Sequence, residues 1–496
     1  MHAVRSLSQI FNPSRTSVLN FQDINPEIHS PSSSLSKPEL APLPTVSDED
    51  DDALWDFDET INDLTLEAVY ERVDDFFEKQ HDFNVSAPTV EIDFMLKLAF
   101  ALVVNGMNSA HMESLIVQIA KRLGFHCSIS LQPRQISACF TASDSTPFSS
   151  RTRTYIIHCE DAGAPSNIAV LSLLYTLAEA IAAGRLSLES GFKALLDILE
   201  RPPMYSKVPR VVACGVACAG LAALFFYSSL IGIIIAFVCG ALEMAIEVWL
   251  RPRFSAFGKM NSFLTPLIMS MIVGTLYHLL PAHSFEPISV LLMSLMWILP
   301  GLSLTSAVTE LARQNLSVGS ARLFFSIMVM ILMSYGIQIG FYFLSFITDR
   351  PLVKYEGELL EPTLIVMLLE VLCIGISFCV LVHAPLNLWY AMISANYLSF
   401  LTYFYVFATY TDVAVLGTAL CGGFYARIWS KITGKTLIIP LTSALIMLVP
   451  GSLSVRSILQ VVVFDDASSG LALSGQVIKT AVSLAVGVLI STSSAK

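Results

Sequence analysis

The chain has 496 residues, of which 54% are hydrophobic and 14% charged, whereas about 25% charged residues is usual in a soluble protein. That balance excludes an ordinary soluble globular chain and points to the membrane. The formal net charge of −11 gathers in the N-terminal half, where SDEDDDALWDFDE packs acids densely, and it argues against a nucleic-acid partner.

Residues 1–88 carry PSSSLSKPELAPLP and the acidic run Asp48–Asp52, with too little apolar periodicity to offset the entropy of ordering a backbone. They are expected to be a disordered acidic, Ser/Pro-rich tail. Arg5 and Arg15 with no acid before Asp23 fit an organelle transit peptide weakly, and there is no apolar core like that of a secretory signal. Within the tail, LTLEAVYERVDDFFEKQHDF has apolar residues at three- and four-residue steps and predicts one amphipathic helix.

From residue 89 to 205 the pattern is that of a compact cytosolic α+β domain. EIDFMLKLAFALVVNG predicts a helix stopped by Gly106, and SAHMESLIVQIAKRLG a second, with Ser109 as N-cap and Gly124 as stop. CSISLQPRQISACFTA and TRTYIIHCE read as strands, and NIAVLSLLYTLAEAIAAGRL and SLESGFKALLDILE as two more helices.

The remainder is apolar. Ten segments approach the roughly 20 residues a spanning helix needs, at 210–227, 230–249, 262–280, 286–303, 323–346, 362–382, 386–405, 411–428, 436–452 and 472–491. Nine or eleven spans remain open alternatives around 386–428. With a cytosolic N-terminus, inward loops carry Arg251, Arg253, Lys259, Arg313, Arg322, Arg427, Lys431 and Lys435, and outward loops chiefly Arg350, Lys354 and Arg456. This bias places both termini in the cytosol, with a plasma or vacuole-type membrane as the expected site.

LMWILPGLSL around Pro300 and IMLVPGSLSV around Pro450 both set an aliphatic run against Pro-Gly and then hydroxyl residues, 150 positions apart. The other spans fall into rough register at the same offset, giving two five-span membrane repeats at 206–348 and 349–496. An odd number of spans inverts the second copy, an architecture common in secondary transporters. The expected fold is therefore an all-α polytopic bundle of about ten transmembrane helices, a 5+5 inverted repeat, behind a small α+β soluble domain.

With NGMNSAHMESLIVQIAKRLG at 105–124, including Gly106, Ser109 and Glu113, the ILPG at 298–301 and LVPG at 448–451 make the chain resemble the threonine/serine exporter family. The likeness runs over about residues 91–492. Met107 and Asn108 depart from the family's usual Ala and Pro or Ser. The resemblance implies a proton-coupled antiporter exporting small hydroxy amino acids, with small dicarboxylates such as succinate as the alternative cargo.

Pro-Gly inside a membrane helix removes a backbone donor and adds a flexible point, so the helices are expected to break or end at Pro300–Gly301 and Pro450–Gly451. If half-helices restart there, their amides and the hydroxyls of Ser303, Thr305, Ser306, Ser452 and Ser454 are candidates to hold a substrate carboxylate. Arg456 has no basic counterpart in the first half and is a candidate bidentate partner, or else a surface arginine. Asn387 and Asn396 are further binding candidates, with helix–helix hydrogen bonding as the alternative. Intramembrane carboxyls are costly, so Glu243, Glu247 and Glu370 are the proton-coupling candidates; Glu247 equally fits an interfacial ion pair with Arg251.

Ser109, His111 and Glu113 bring three catalytic residue types close together, but helical spacing does not suit a triad, and no nucleophile elbow, P-loop or dinucleotide fingerprint occurs. No enzyme activity is expected. The nine cysteines show no metal-ligand spacing and read as small buried hydrophobes, so no metal and no cofactor are expected. Expected partners are the cargo, protons, the bilayer and, as an open question, a second copy of the chain. A non-transporting membrane scaffold with a recruiting domain is the competing class.

Overall fold

The computed structural model describes residues 65–81, 89–132, 135–142, 152–159, 167–226, 229–280, 285–348, 363–406, 411–448, 451–462 and 466–493. All belong to the second of two units, which begins at Phe57. Apart from the helix at 66–81, the expected disordered tail lies outside the described residues, as do His283, Arg350, Lys354 and Pro450.

Helix α1 (Leu66–His81) is the amphipathic piece of the tail region, and it packs on α5 (Leu188–Glu200). Around it lie α2 (Val90–Val104), α3 (Ser109–Arg122) and α4 (Ile168–Ala183). Phe192 gathers the apolar faces, with Tyr70 at 4.6 Å and Phe94 at 5.0 Å between ring centroids in edge-on contacts. Lys97 is 2% exposed; its ammonium is paired with Asp74 and, at 2.5 Å, with Asp93, which neutralises a charge that would otherwise be costly to bury.

The segment expected as one strand is a hairpin. Strands β1 (Phe125–Gln132) and β2 (Gln135–Ala142) pair antiparallel with Gln132 opposite Gln135, and β3 (Arg153–His158) adds to β2, giving the order β1-β2-β3. The β-branched pattern alone reads β1 and β2 as one continuous strand. The N-cap of α3 is Asn108, whose side chain accepts from the His111 amide at 3.0 Å, and not Ser109. That shift by one residue releases the Ser109 hydroxyl for a long-range contact described below.

The membrane part begins with α6 (Lys207–Phe226) and α7 (Leu230–Ala245), the latter ending in a π-turn at Ile246–Leu250. Next come α8 (Ser255–Leu279), the half-helices α9 (Pro287–Ser294) and α10 (Gly301–Ala312), and α11 (Leu316–Thr348). The second half runs α12 (Leu364–Leu381), α13 (Leu386–Leu401) with a π-turn at Thr402–Val406, and α14 (Thr411–Thr433). The half-helices α15 (Ile438–Ile446) and α16 (Gly451–Val462) and then α17 (Ala467–Ser493) complete it.

Among the described residues, eight helical stretches are long and apolar enough to cross a membrane, one of them, Ile438–Val461, made up of α15 and α16 together. Of the ten expected spans, the one at 286–303 falls short because it is broken before Gly301. The one at 386–405 falls short because Asn387, Tyr390, Asn396 and Tyr397 dilute its apolar character. The chain is thus an integral, multi-pass, all-α membrane bundle preceded by a small α+β domain.

Helix pairings in the first half recur in the second. The contacts α6–α7, α8–α11, α10–α11 and α7–α9 correspond to α12–α13, α14–α17, α16–α17 and α13–α15, and α10 packs on α17 as α16 packs on α11. The helices of one pair approach closely through glycines one turn apart. A Cβ added at Gly336 would lie 2.5 Å from the Phe263 carbonyl oxygen of α8, and one at Gly340 2.8 Å from that of Leu267. Gly336→Ala is expected to cost roughly 1–3 kcal/mol by overpacking, read as a lower unfolding temperature in detergent. Gly475→Ala, where nothing lies within 4 Å, is the matched control and should leave that temperature unchanged.

Candidate functional site

The two predicted breaks are brought together. After Ser294 the chain makes only short-range turns, with the Met296 amide bonded to Met293 O and that of Ile298 to Leu295 O, both at 3.1 Å, before α10 starts at Gly301. On the other side α15 ends at Ile446 and α16 starts at Gly451. The two starts are in contact: a Cβ added at Gly451 would lie 3.4 Å from the Gly301 Cα and 3.2 Å from the Leu299 Cβ. Each start leaves amides without an intrahelical acceptor, and the partial positive charge of two helix N-termini converges at one point.

A cavity of about 790 Å³ surrounds that point, within the size range of small-molecule sites. Both breaks line it, through Trp297–Ser303 and through Ile446–Leu448 with Gly451–Leu453. Pro300, Gly301, Ser303, Gly451 and Ser452, all anticipated from sequence, are therefore in the wall. Thr305 is buried and donates its hydroxyl to Gly301 O at 3.1 Å; Ser306 is half-buried; neither lines the cavity, nor does the buried Ser454. Arg456 lies away from the cavity, 3.8 Å from the Glu286 carboxylate.

Of the three acids, Glu247 is in the cavity wall. It is ion-paired with Arg251 and accepts from Asn261 Nδ2 at 3.0 Å, while Thr265 donates to Asn261 Oδ1 at 2.6 Å and so fixes which way the amide points. Glu243, one turn earlier, is wholly buried. Cys214 Sγ is 3.4 Å from its Oε2, its Oε1 has no hydrogen-bond partner among the described residues, and its carboxyl lies beside the Ile298 amide in the first break. Glu370 on α12 is half-buried with one unpartnered oxygen, outside the wall.

Asn387 is exposed, and Asn396 is fully buried with neither amide atom partnered among the described residues, packed on α12 where a Cβ at Gly375 would lie 3.3 Å from its Nδ2. Asn261, Tyr403 and Thr480 also line the cavity and were not singled out in the sequence, and Lys259, read there only as an inward-loop charge, lines it too. Among the described residues no group of three or more His, Cys, Asp or Glu is placed to hold a metal ion.

The N-terminal α+β domain is bolted to this framework. Ser109 and Glu310, at the end of α10, are both buried, and the Ser109 hydroxyl lies 2.7 and 2.8 Å from the two carboxylate oxygens. Beside them, burial pushes the His111 imidazole below its ordinary value, with Arg313 adding to the effect. At a second point Tyr205 donates its hydroxyl to Ala384 O at 2.9 Å and its amide to His383 Nδ1 at 3.4 Å, and the Ile168 amide donates to Val382 O at 2.9 Å.

Burial, aided by Arg210, lowers His383 from 6.5 to about 4, so it is neutral and able to accept. Above pH 6.5 the ring is neutral whether the domain is docked or released. Between 6.5 and 4 the released form takes up a proton that the docked form refuses, so docking stability falls as pH falls through that window. Limited proteolysis of the domain should accelerate from pH 6.5 down to 4, and His383→Asn should flatten that dependence.

A multi-pass bundle whose two broken helices meet over an internal cavity, with no metal cluster among the described residues, is the architecture of a membrane transporter. The chain belongs to the threonine/serine exporter family: a family model described as a putative threonine/serine exporter matches residues 93–344, and a second, described as a threonine/serine exporter, matches residues 365–494. It is also similar to two uncharacterised proteins of Schizosaccharomyces pombe. One is 25% identical over 50% of this chain and 32% of the relative, the other 26% identical over 32% of this chain and 19% of the relative. The matches thus span a third or less of those relatives' lengths. No solved structure matches the chain.

Proposed function

We propose that the chain is a secondary active transporter that exports small hydroxy amino acids, threonine and serine, in exchange for protons. The observation that carries this is the meeting of the two half-helix starts, Gly301 and Gly451, in the wall of one cavity. Unsatisfied amides at two positive helix ends suit the cargo carboxylate, and Ser303 and Ser452 supply hydroxyls for its polar groups.

The domain organisation follows: a soluble domain at 89–205, then repeats at 206–348 and 349–496 inverted relative to each other. Two contacts support inversion. Helix α6 starts beside the soluble domain, two residues after Tyr205, whereas α12 ends there, at the turn Val382–Ala384. Equivalent helices of the two halves thus run in opposite senses. The basic loops lie on the domain side, which supports a cytosolic domain and cytosolic termini, in the plasma or a vacuole-type membrane.

Glu243 serves as the coupling carboxyl. It is sealed from water, has one free oxygen and abuts the break, so a proton it carries is exchanged only when the break moves and water enters. A small dicarboxylate is the second reading, favoured by one observation: Arg251 and Lys259 outnumber Glu247 in the domain-side wall of the cavity, a field that draws in anions.

Uptake of radiolabelled threonine, serine and succinate into proteoliposomes, with and without a pH gradient, tests the proposal. Gradient-driven accumulation of threonine or serine supports the leading reading, and succinate alone supports the second. No flux of any of them by folded protein overturns both in favour of a scaffold.

A further inference from the structure

The cavity has two differently built ends, and each is built around a π-turn. The turns at Ile246–Leu250 and Thr402–Val406 stand 156 residues apart, at the ends of the equivalent helices α7 and α13. A π-turn inserts one extra residue into a helical turn and re-aims the side chains after it. Glu247 in the first and its positional equivalent Tyr403 in the second both line the cavity.

They lie at opposite ends. Glu247 is within electrostatic reach of Arg210 near the start of α6, and Arg210 within reach of His383 at the docked turn, so the first π-turn is on the domain side. The second lies at the other end of the 16-residue α13, about 24 Å from that docked turn.

The domain-side end carries exposed and polar residues: Arg251, Lys259 and Met260, all exposed, border it together with Asn261 and Ser262. The far end is closed by rings. Phe404 contacts Phe400 at 4.9 Å, Tyr403 at 5.1 Å and, across the two halves, Phe225 at the end of α6 at 6.2 Å. Phe400 is 2% exposed, and all four rings are in the cavity wall.

We infer that Phe404, seated on the second π-turn and closed against Phe225 of the opposite half, is the far-side gate of the cavity, shut in this state while the domain-side end is open. The contact is well suited to gating because it is apolar, ring against ring with Leu224, Val371 and Ile374 packed beside Phe400, so separating it exposes apolar surface only while the gate is open. The inference rests on reading the cavity as the cargo path.

The test uses the full-length chain with Ser452→Cys as a cavity probe, in proteoliposomes whose orientation is scored by protease access to the soluble domain. A membrane-impermeant maleimide is applied from either side, and labelling of the parent chain, with its native cysteines, is subtracted. Ser452→Cys should label at least tenfold faster from the domain side than from the far side. Adding Phe404→Ala should raise the far-side rate at least tenfold with the domain-side rate unchanged. Phe225→Ala, on a residue 36% exposed, repeats the test should Phe404→Ala fail to fold.

Equal labelling from both sides in the unaltered gate, or a far-side rate unmoved by either substitution, overturns the inference. Labelling requires no cargo, so the two readings fail separately. A chain with asymmetric, Phe404-dependent labelling that carries none of the tested metabolites keeps its gate and loses the transport proposal, and transport without that asymmetry does the reverse.

Discussion

Gly451→Leu is expected to reduce transport at least tenfold while the protein remains folded and membrane-inserted. At Gly451 the nearest atoms to an added Cβ are the Leu299 Cβ at 3.2 Å and the Gly301 Cα and N at 3.4 and 3.5 Å. A single methyl is tight there, and a branched side chain cannot enter without pushing the two half-helix starts apart.

The backbone hydrogen bonds of α10 and α16 lie beyond their first residues and are not touched, so secondary structure should survive. What is lost is the convergence of two positive helix ends on one point. That charge is useful to a carboxylate only within about the first turn of each helix. The check is initial transport rate beside circular dichroism and size-exclusion profile. Gly451→Ala is predicted to give an intermediate loss, because the neighbour on the Leu299 side can yield by a few tenths of an ångström. Full activity in Gly451→Leu would show that cargo does not bind where the breaks meet.

The existence of those breaks was legible in the sequence because Pro-Gly carries a local physical signature, a missing donor and a flexible joint. That Gly301 and Gly451 touch was not, since no pattern along the chain reports which segments cross. The π-turns were invisible for another reason. A slip of one hydrogen bond from i+4 to i+5 needs no particular residue, and IEVWL and TYFYV share no motif.

The acids show the same limit. Spacing placed Glu243 and Glu247 on one face of one helix, but α7 is apolar all round, so no polar stripe indicated which of the two meets the cavity and which is sealed. The Ser109–Glu310 contact joins residues 201 positions apart; from sequence, Ser109 looked like an N-cap because the capping position and the docking position are neighbours. The N-terminal α+β domain was read correctly in its helices and one strand short in its sheet, because alternation alone presents the paired β1 and β2 as one continuous strand.

Glu243→Gln is expected to abolish accumulation driven by a pH gradient while leaving exchange of labelled for unlabelled cargo within about twofold of the unaltered protein. Glutamine keeps the size and hydrogen-bonding reach of the protonated acid, so the neighbours at Cys214 and the Ile298 amide are preserved and no charge is left buried. The fold should be undisturbed or slightly stabilised. What glutamine cannot do is release a proton, and a coupled cycle requires that release on one side of the membrane.

Exchange returns the carrier loaded in both directions and does not require it. The contrast with Glu370→Gln is informative, because that residue is half-buried on α12 outside the cavity wall and away from either break. If it alone removes gradient dependence, the coupling site lies at the α6–α12 contact between the halves, where Gly220 abuts Ile374 and the Glu370 carbonyl. If both substitutions leave gradient-driven accumulation intact, protons do not drive this carrier through either acid, and the remaining carboxyl in the cavity wall, Glu247, becomes the group to replace. Both Arg251 and Asn261 donate to it, so coupling through Glu247 would demand that Arg251 leave it in each cycle. That is a larger movement than the opening of the break beside Glu243, and it is the physical ground for expecting Glu243→Gln to be the substitution that uncouples the transporter.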